Sequence, residues 1–201
     1  LGLASEQAMN TDTLILEMAS TADLESAVEQ CRIAIMMRTQ VVLDQEGRRN
    51  PQPDFIQIWW RASVEPQVSL MLIVDEALAC AWLEVTDFDS DRRRIMVNAL
   101  RDHLPTVSSE KLIMLLQRWP LQRGTMAALA IAQEQPSPAL LAAVDLALNG
   151  PDEALVIEAA FAAATAGLTA VLPALERALS QPALTGARGA LNRAIEELKH
   201  R

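Results

Sequence analysis

Four pairs, Ala99-Leu100, Ala128-Leu129, Ala160-Phe161 and Ala190-Leu191, recur at steps of 29, 32 and 30 residues, and this spacing constrains the fold more than any other feature of the chain. A leucine opening a new apolar stripe follows each of the first three: Leu112, Leu141 and Leu172. A period of about 30 residues fits one helical hairpin, which cannot bury its apolar face alone and has to stack on neighbours. Alanine, whose small side chain lets helix axes approach closely, is distributed accordingly. Residues 121–201 hold 22 alanines and residues 1–120 hold 11.

The breakers between apolar stripes divide the chain into helices. Ser20 and Asp23 are placed to cap a helix over 21–46 with Leu24, Val28, Cys31, Ile35 and Val42 on one stripe. Residues 47–53 (GRRNPQP) read as a turn, Asp54 as the cap of a short helix over 55–62 with Trp59 and Trp60, and Pro66 as the start of a helix running to Val85. Ser90 opens the next, and Ser108 or Ser109 one that stops at Trp119-Pro120. Further helices are expected over 121–134, 138–149, 152–166, 170–180 and 185–199. Ser137-Pro138 supplies an N-cap and a first-turn proline, and Gly150 and Gly167 sit where helices end. With no tyrosine and three phenylalanines, nothing reads as a strand. The expected fold is all-α: a short right-handed superhelix of stacked hairpins over 90–201, with a non-repeat helical part over 1–89. Phe161, Leu172 and Leu175 are expected in its core.

The stretch from Pro151 to Leu179, PDEALVIEAAFAAATAGLTAVLPALERAL, resembles the short HEAT-like repeat of the bilin-lyase type. The marks are the opening Pro-Asp, an alanine-rich first helix, a glycine turn and a Leu-Pro-Ala-Leu second helix. The resemblance implies an α-solenoid whose second helices line a binding surface, with Lys111, Arg118, Asp145, Glu176 and Arg177 on or near it. It also keeps open an accessory lyase or isomerase activity, since related repeats occur in such enzymes.

The residues themselves do not support catalysis. His103 and His200 are the only histidines, one in the last turn of an expected helix and the other in the tail. There is no G-x-S-x-G, no phosphate-binding glycine loop, and seven glycines in all. Asp87-Phe88-Asp89-Ser90-Asp91 imitates a calcium loop but carries Arg92 and Asn98 where glycine and glutamate are required. Cys31 and Cys80 lack metal spacing and read as free thiols of a reducing cytoplasm. No cofactor and no metal are expected. Residues 1–10 do not read as a signal peptide. The longest uncharged stretch, between Glu158 and Glu176, is broken by Gly167 and Pro173 and falls short of the roughly 20 apolar residues of a membrane span.

Charge points to a partner. The net charge of -9 disfavours nucleic acid, whose affinity rests on phosphate neutralisation. Residues 1–100 carry 16 acids and 8 bases, and between Arg61 and Arg92 lie seven acids and no base. The reading is a protein-interaction module (adaptor, specific chaperone or immunity-type inhibitor) that takes a basic protein partner. Its expected surface comprises Asp75, Glu76, Trp82, Glu84, Asp87, Phe88 and Asp89, with Arg92 and Arg93 at its edge and Lys111, Asp145 and Arg177 on the helical array.

Overall fold

The computed structural model describes residues 11–133 and 135–201. The reading of the first ten residues, and the expected helix end at residue 134, lie outside these. The chain divides into two compact units: residues up to Val74 together with Trp82–Thr106, and Asp75–Ala81 together with Val107–Arg201.

The first unit overturns the all-α expectation. It is built from β1 (Thr11–Leu16), α1 (Thr21–Thr39), β2 (Leu43–Gln52), β3 (Phe55–Ala62), β4 (Ser69–Asp75), β5 (Cys80–Thr86) and α2 (Ser90–Arg101), with the two-residue β6 (Thr106–Val107) at its end. The six strands form one antiparallel sheet in the order β2-β3-β4-β5-β1-β6. The expected helix over 55–62 is β3, and the expected helix from Pro66 to Val85 is the β4–β5 pair. The pattern behind this has a period of two. Ile56, Ile58, Trp60 and Ala62 are buried, as are Leu70, Leu72 and Val74 and then Ala81, Leu83 and Val85. Selected residues of so short an apolar run also satisfy a helical stripe, which is why periodicity alone misassigned it. Asp54 is not a helix cap; it belongs to the tight turn after Gln52, which pairs with Phe55. Residues 47–52 are part of the edge strand β2 rather than a break. That edge carries charges and Pro51, and a bulge at Glu46 places Gly47 opposite Trp59. A Cβ on Gly47 would lie 2.5 Å from the Trp59 ring, so this close approach requires glycine.

One sheet face carries α1, to which Trp60 Nε1 donates a hydrogen bond at Glu29 Oε1 (2.5 Å), and α1 packs beside α2. Helix α1 starts where the capping pattern places it, with Ser20 accepting from the Asp23 N–H, but it ends at Thr39, where Gln40 turns left-handed. Its buried residues are Leu24, Val28, Cys31 and Ile35. On the opposite sheet face Trp59, Met71 and Phe55 are half-buried, and the Phe55 and Trp82 rings lie 6.4 Å apart.

The second unit contains α3 (Ser109–Arg118), α4 (Thr125–Ala132), α5 (Pro138–Leu148), α6 (Glu153–Ala166), α7 (Leu172–Leu179) and α8 (Arg188–Lys199). The hairpin expected of 152–166 with 170–180 is not the pairing found. Helix α6 pairs with α5, and α7 with α8; α4, α6 and α8 form one row and α3, α5 and α7 another. Leu175 is fully buried, whereas Phe161 and Leu172 are only half-buried. The apolar residues of α6 leave room for this because alanines 159, 160, 162 and 163 admit neighbours on three sides.

The row α4–α6 is joined by a buried carboxylate. Gly124, left-handed at φ 80°, precedes α4 and supplies no capping side chain. Glu158, with no solvent exposure, does so from α6. Its Oε2 accepts from the N–H of Gly124 (2.9 Å), and its Oε1 from those of Met126 (2.9 Å) and Ala127 (3.2 Å). These are orphan donors of the helix start, and a negative group is favoured there. Arg123 beside it donates to the Ala77 carbonyl in the tip of the β4–β5 hairpin. Gly124 presses on the same tip, since a Cβ there would lie 2.1 Å from the Ala79 carbonyl oxygen.

Glu158→Ala leaves three buried donors unsatisfied and is expected to cost about 3 kcal/mol by urea denaturation. Gly124→Ala combines a left-handed φ with a backbone clash and is expected to cost on the order of 1–3 kcal/mol in the same measurement. Burial raises the Glu158 carboxyl above its ordinary range, against the pull of the three N–H groups and Arg123. The folded state therefore holds this proton more tightly than the unfolded chain does. The contribution to stability is greatest at acid pH and falls as pH rises through the folded value. Stability measured from about pH 4 to 8 should show this decline, and Glu158→Gln should flatten it.

Candidate functional site

The acidic run is largely spent on holding the first unit together. Asp87 is fully buried and takes the Arg92 fork at Nε (2.6 Å) and Nη2 (3.0 Å). The same guanidinium grips Glu65 through two further bonds of 3.0 and 2.7 Å. These paired carboxylates hold the Arg92 proton more tightly than usual. Arg93 donates to the Asp87 carbonyl (2.7 Å) and to Asp12 (2.7 Å), which ties the start of α2 to β1. Asp89, rather than Ser90, is the N-cap: its carboxylate accepts from the N–H groups of Asp91 and Arg92, which lower its pKa. Three arginines in a first turn oppose the helix dipole, and the carboxylates around them offset that cost.

The remaining residues of the expected acidic surface belong to two different units. Asp75 accepts from the Leu78 N–H in the hairpin tip, where Glu76 is exposed. Trp82 is buried, and its indole N–H donates to Glu84 (3.1 Å). Phe88 is 48% exposed. Trp82 and Glu84 stay together on one face of β5, but burial takes Trp82 out of the exposed surface that the sequence reading gave it. Asp87, Arg92 and Arg93 form an internal knot instead of an outward surface.

The helical array gathers a different set. Lys111, Asp145 and Arg177 lie exposed on α3, α5 and α7, the three helices of one row. Lys111, Met114 and Arg118 follow one stripe of α3 at spacings of three and four. Arg118, the last residue of α3, stacks on the Trp119 ring, 4.4 Å from its centroid. Arg118, Trp119, Pro120, Leu121 and Gln122 line an open concavity of about 750 Å³. Met114, Trp119 and Leu121 are 63%, 49% and 42% exposed. Leu141 and Leu146 of α5 are also exposed, on either side of Asp145. Among the described residues of this unit, every exposed large apolar side chain belongs to α3, α5 or the segment between α3 and α4. Trp119 and Leu121 escaped the sequence reading because it treated Trp119-Pro120 only as a helix stop.

Among the described residues no three His, Cys, Asp or Glu side chains are grouped to hold a metal, and no helix is long and apolar enough to cross a membrane. Both cysteines are buried, which pushes the Cys31 thiol up to about 11 and raises Cys80 further, with Asp75 and Glu158 adding to the effect.

Arg92→Ala strands the buried Asp87 carboxylate and is expected to cost about 3 kcal/mol by thermal or urea denaturation. Glu76→Lys, on the exposed tip, is expected to change stability by less than about 0.5 kcal/mol. No family model, curated protein or solved structure matches the chain.

Proposed function

We propose that the protein is a protein-interaction module whose partner docks on the α3–α5 surface of the helical unit. The observation that supports this reading is the confinement of that unit's exposed large apolar side chains to one pair of helices and the segment after α3. Folding gains nothing from exposing Met114, Trp119 and Leu121 together, and each forfeits about 1.5–3 kcal/mol of available burial. The arrangement has the parts of a binding hot spot: an aromatic and aliphatic anchor next to an arginine, with polar residues around it. Arg118, already oriented by the Trp119 ring, selects a partner segment that brings a carboxylate beside an apolar side chain. This reading moves the working surface away from the acidic run and changes the expected partner segment from basic to acidic and apolar.

A photo-crosslinking residue in place of Gln122, introduced in the native host, identifies the partner by mass spectrometry. Binding of the purified partner is expected to weaken by about 10- to 100-fold for Trp119→Ala and by less for Leu121→Ala, with Glu76→Lys unchanged. A partner whose affinity is insensitive to Trp119→Ala would show that this surface does not carry recognition.

A further inference from the structure

An oxidant meets two kinds of sulfur in this chain. Both cysteines are buried, Cys31 at 0% and Cys80 at 3% exposure, and burial pushes the Cys31 thiol up to about 11 and Cys80 higher still. The thiolate is the form that reacts, so these thiols are protected twice, by access and by protonation. Methionine needs no ionisation, and access to its sulfur decides. Among the described methionines, Met71 is half-buried and Met96 and Met126 are fully buried, while Met18, Met36, Met37 and Met114 are 44%, 42%, 77% and 63% exposed. Met36 and Met37 lie beside Ile33 on the outer stripe of α1. Met114 lies on α3, one turn before Arg118, in the exposed apolar group with Trp119 and Leu121.

We propose that Met114 is a reversible oxidation site through which a peroxide closes the α3–α5 docking surface, an inference that rests on the partner reading given above. The step is a two-electron oxygen transfer. The thioether sulfur of Met114 takes one oxygen from hydrogen peroxide, the O–O bond breaks as the S–O bond forms, and the second oxygen leaves as water with both protons. The sulfur is oxidised, the peroxide is reduced, and no further reactant is required. A sulfoxide is polar and hydrated where the thioether was apolar, and docking has to strip that water from it. The exposed Leu141 and Leu146 of α5 offer apolar contact without sulfur, so the thioether is what gives this surface a response to oxidant. Occupancy and oxidation oppose each other: a docked partner covers the sulfur, and the sulfoxide disfavours docking.

The purified chain is treated with hydrogen peroxide at neutral pH and followed by peptide mass spectrometry. Met37 and Met114 should each gain one oxygen at least about 10-fold faster than Met96 and Met126, with Cys31 and Cys80 unmodified and melting unchanged while only exposed methionines react. Binding of the partner captured at Gln122 should weaken by about 10-fold or more once Met114 is oxidised, and should recover after treatment with methionine sulfoxide reductases A and B. The ratio of affinities before and after peroxide should fall to about one in Met114→Leu and keep its full value in Met37→Leu.

Met114 reacting no faster than the buried methionines overturns the proposal, as does an oxidised chain that binds undiminished, or a loss of binding that persists in Met114→Leu. Peroxide treatment of the complex separates this inference from the reading beneath it, because a partner seated on α3 shields Met114 and leaves Met37 open. Shielding together with undiminished binding of the oxidised chain overturns the switch alone. A complex in which Met114 oxidises as fast as in the free chain shows that the partner docks elsewhere, and both fall.

Discussion

The helical unit depends on one buried carboxylate. Glu158 lies near the middle of α6, which packs against α4, α5 and α8, and its two oxygens satisfy the N–H groups of Gly124, Met126 and Ala127. Helix α4 is eight residues long, is preceded by a glycine N-cap, and is apolar after Thr125; no capping side chain of its own closes its first turn. Short helices are marginal without such help. The carboxylate therefore does for α4 what a capping serine does elsewhere, and it does so from another helix. Because Gly124 and Arg123 also hold the tip of the β4–β5 hairpin, the same few residues fix where the strands' turn sits against the start of α4.

The sheet unit solves a comparable problem with an arginine. Its sequence gathers carboxylates at the end of β5 and in the turns near it, where mutual repulsion alone would disfavour compactness. Arg92 takes up Asp87 and Glu65, Arg93 takes up Asp12, and Asp89 caps the helix that carries both arginines. Satisfied in this way, the charges knit strand, turn and helix into one piece. Little of the acidic run is left to attract a partner.

Exposed apolar side chains are thus the better guide to function. Two groups of them stand out on different helices, the outer stripe of α1 and Met114, Trp119 and Leu121 with the α5 leucines, while Met18, Val64, Phe88 and Ile95 belong to neither. The second is set beside Arg118, which stacks on the Trp119 ring.

Much of the helical half was legible in the chain, because helix limits are local. Ser20, Ser108 and Ser137-Pro138 start helices, Gly167 ends one in a left-handed turn, and α5, α6, α7 and α8 lie within a few residues of their expected bounds. The sheet was not legible in the same way. Strands such as Phe55–Ala62 and Cys80–Thr86 are short apolar runs whose hydrogen bonds are made with distant segments, so propensity and stripe counting leave helix and strand nearly equivalent. The phase of the hairpins, the burial of Asp87 on Arg92, and the reach of Glu158 to the start of α4 were likewise decided by tertiary structure. Each joins groups tens of residues apart, and only packing determines which of many polar residues is taken from water and which partner then satisfies it. In the helical half the sequence by itself determined where helices begin and stop; the tertiary structure decided what they pack on, and so which side chains remain outside to meet another molecule.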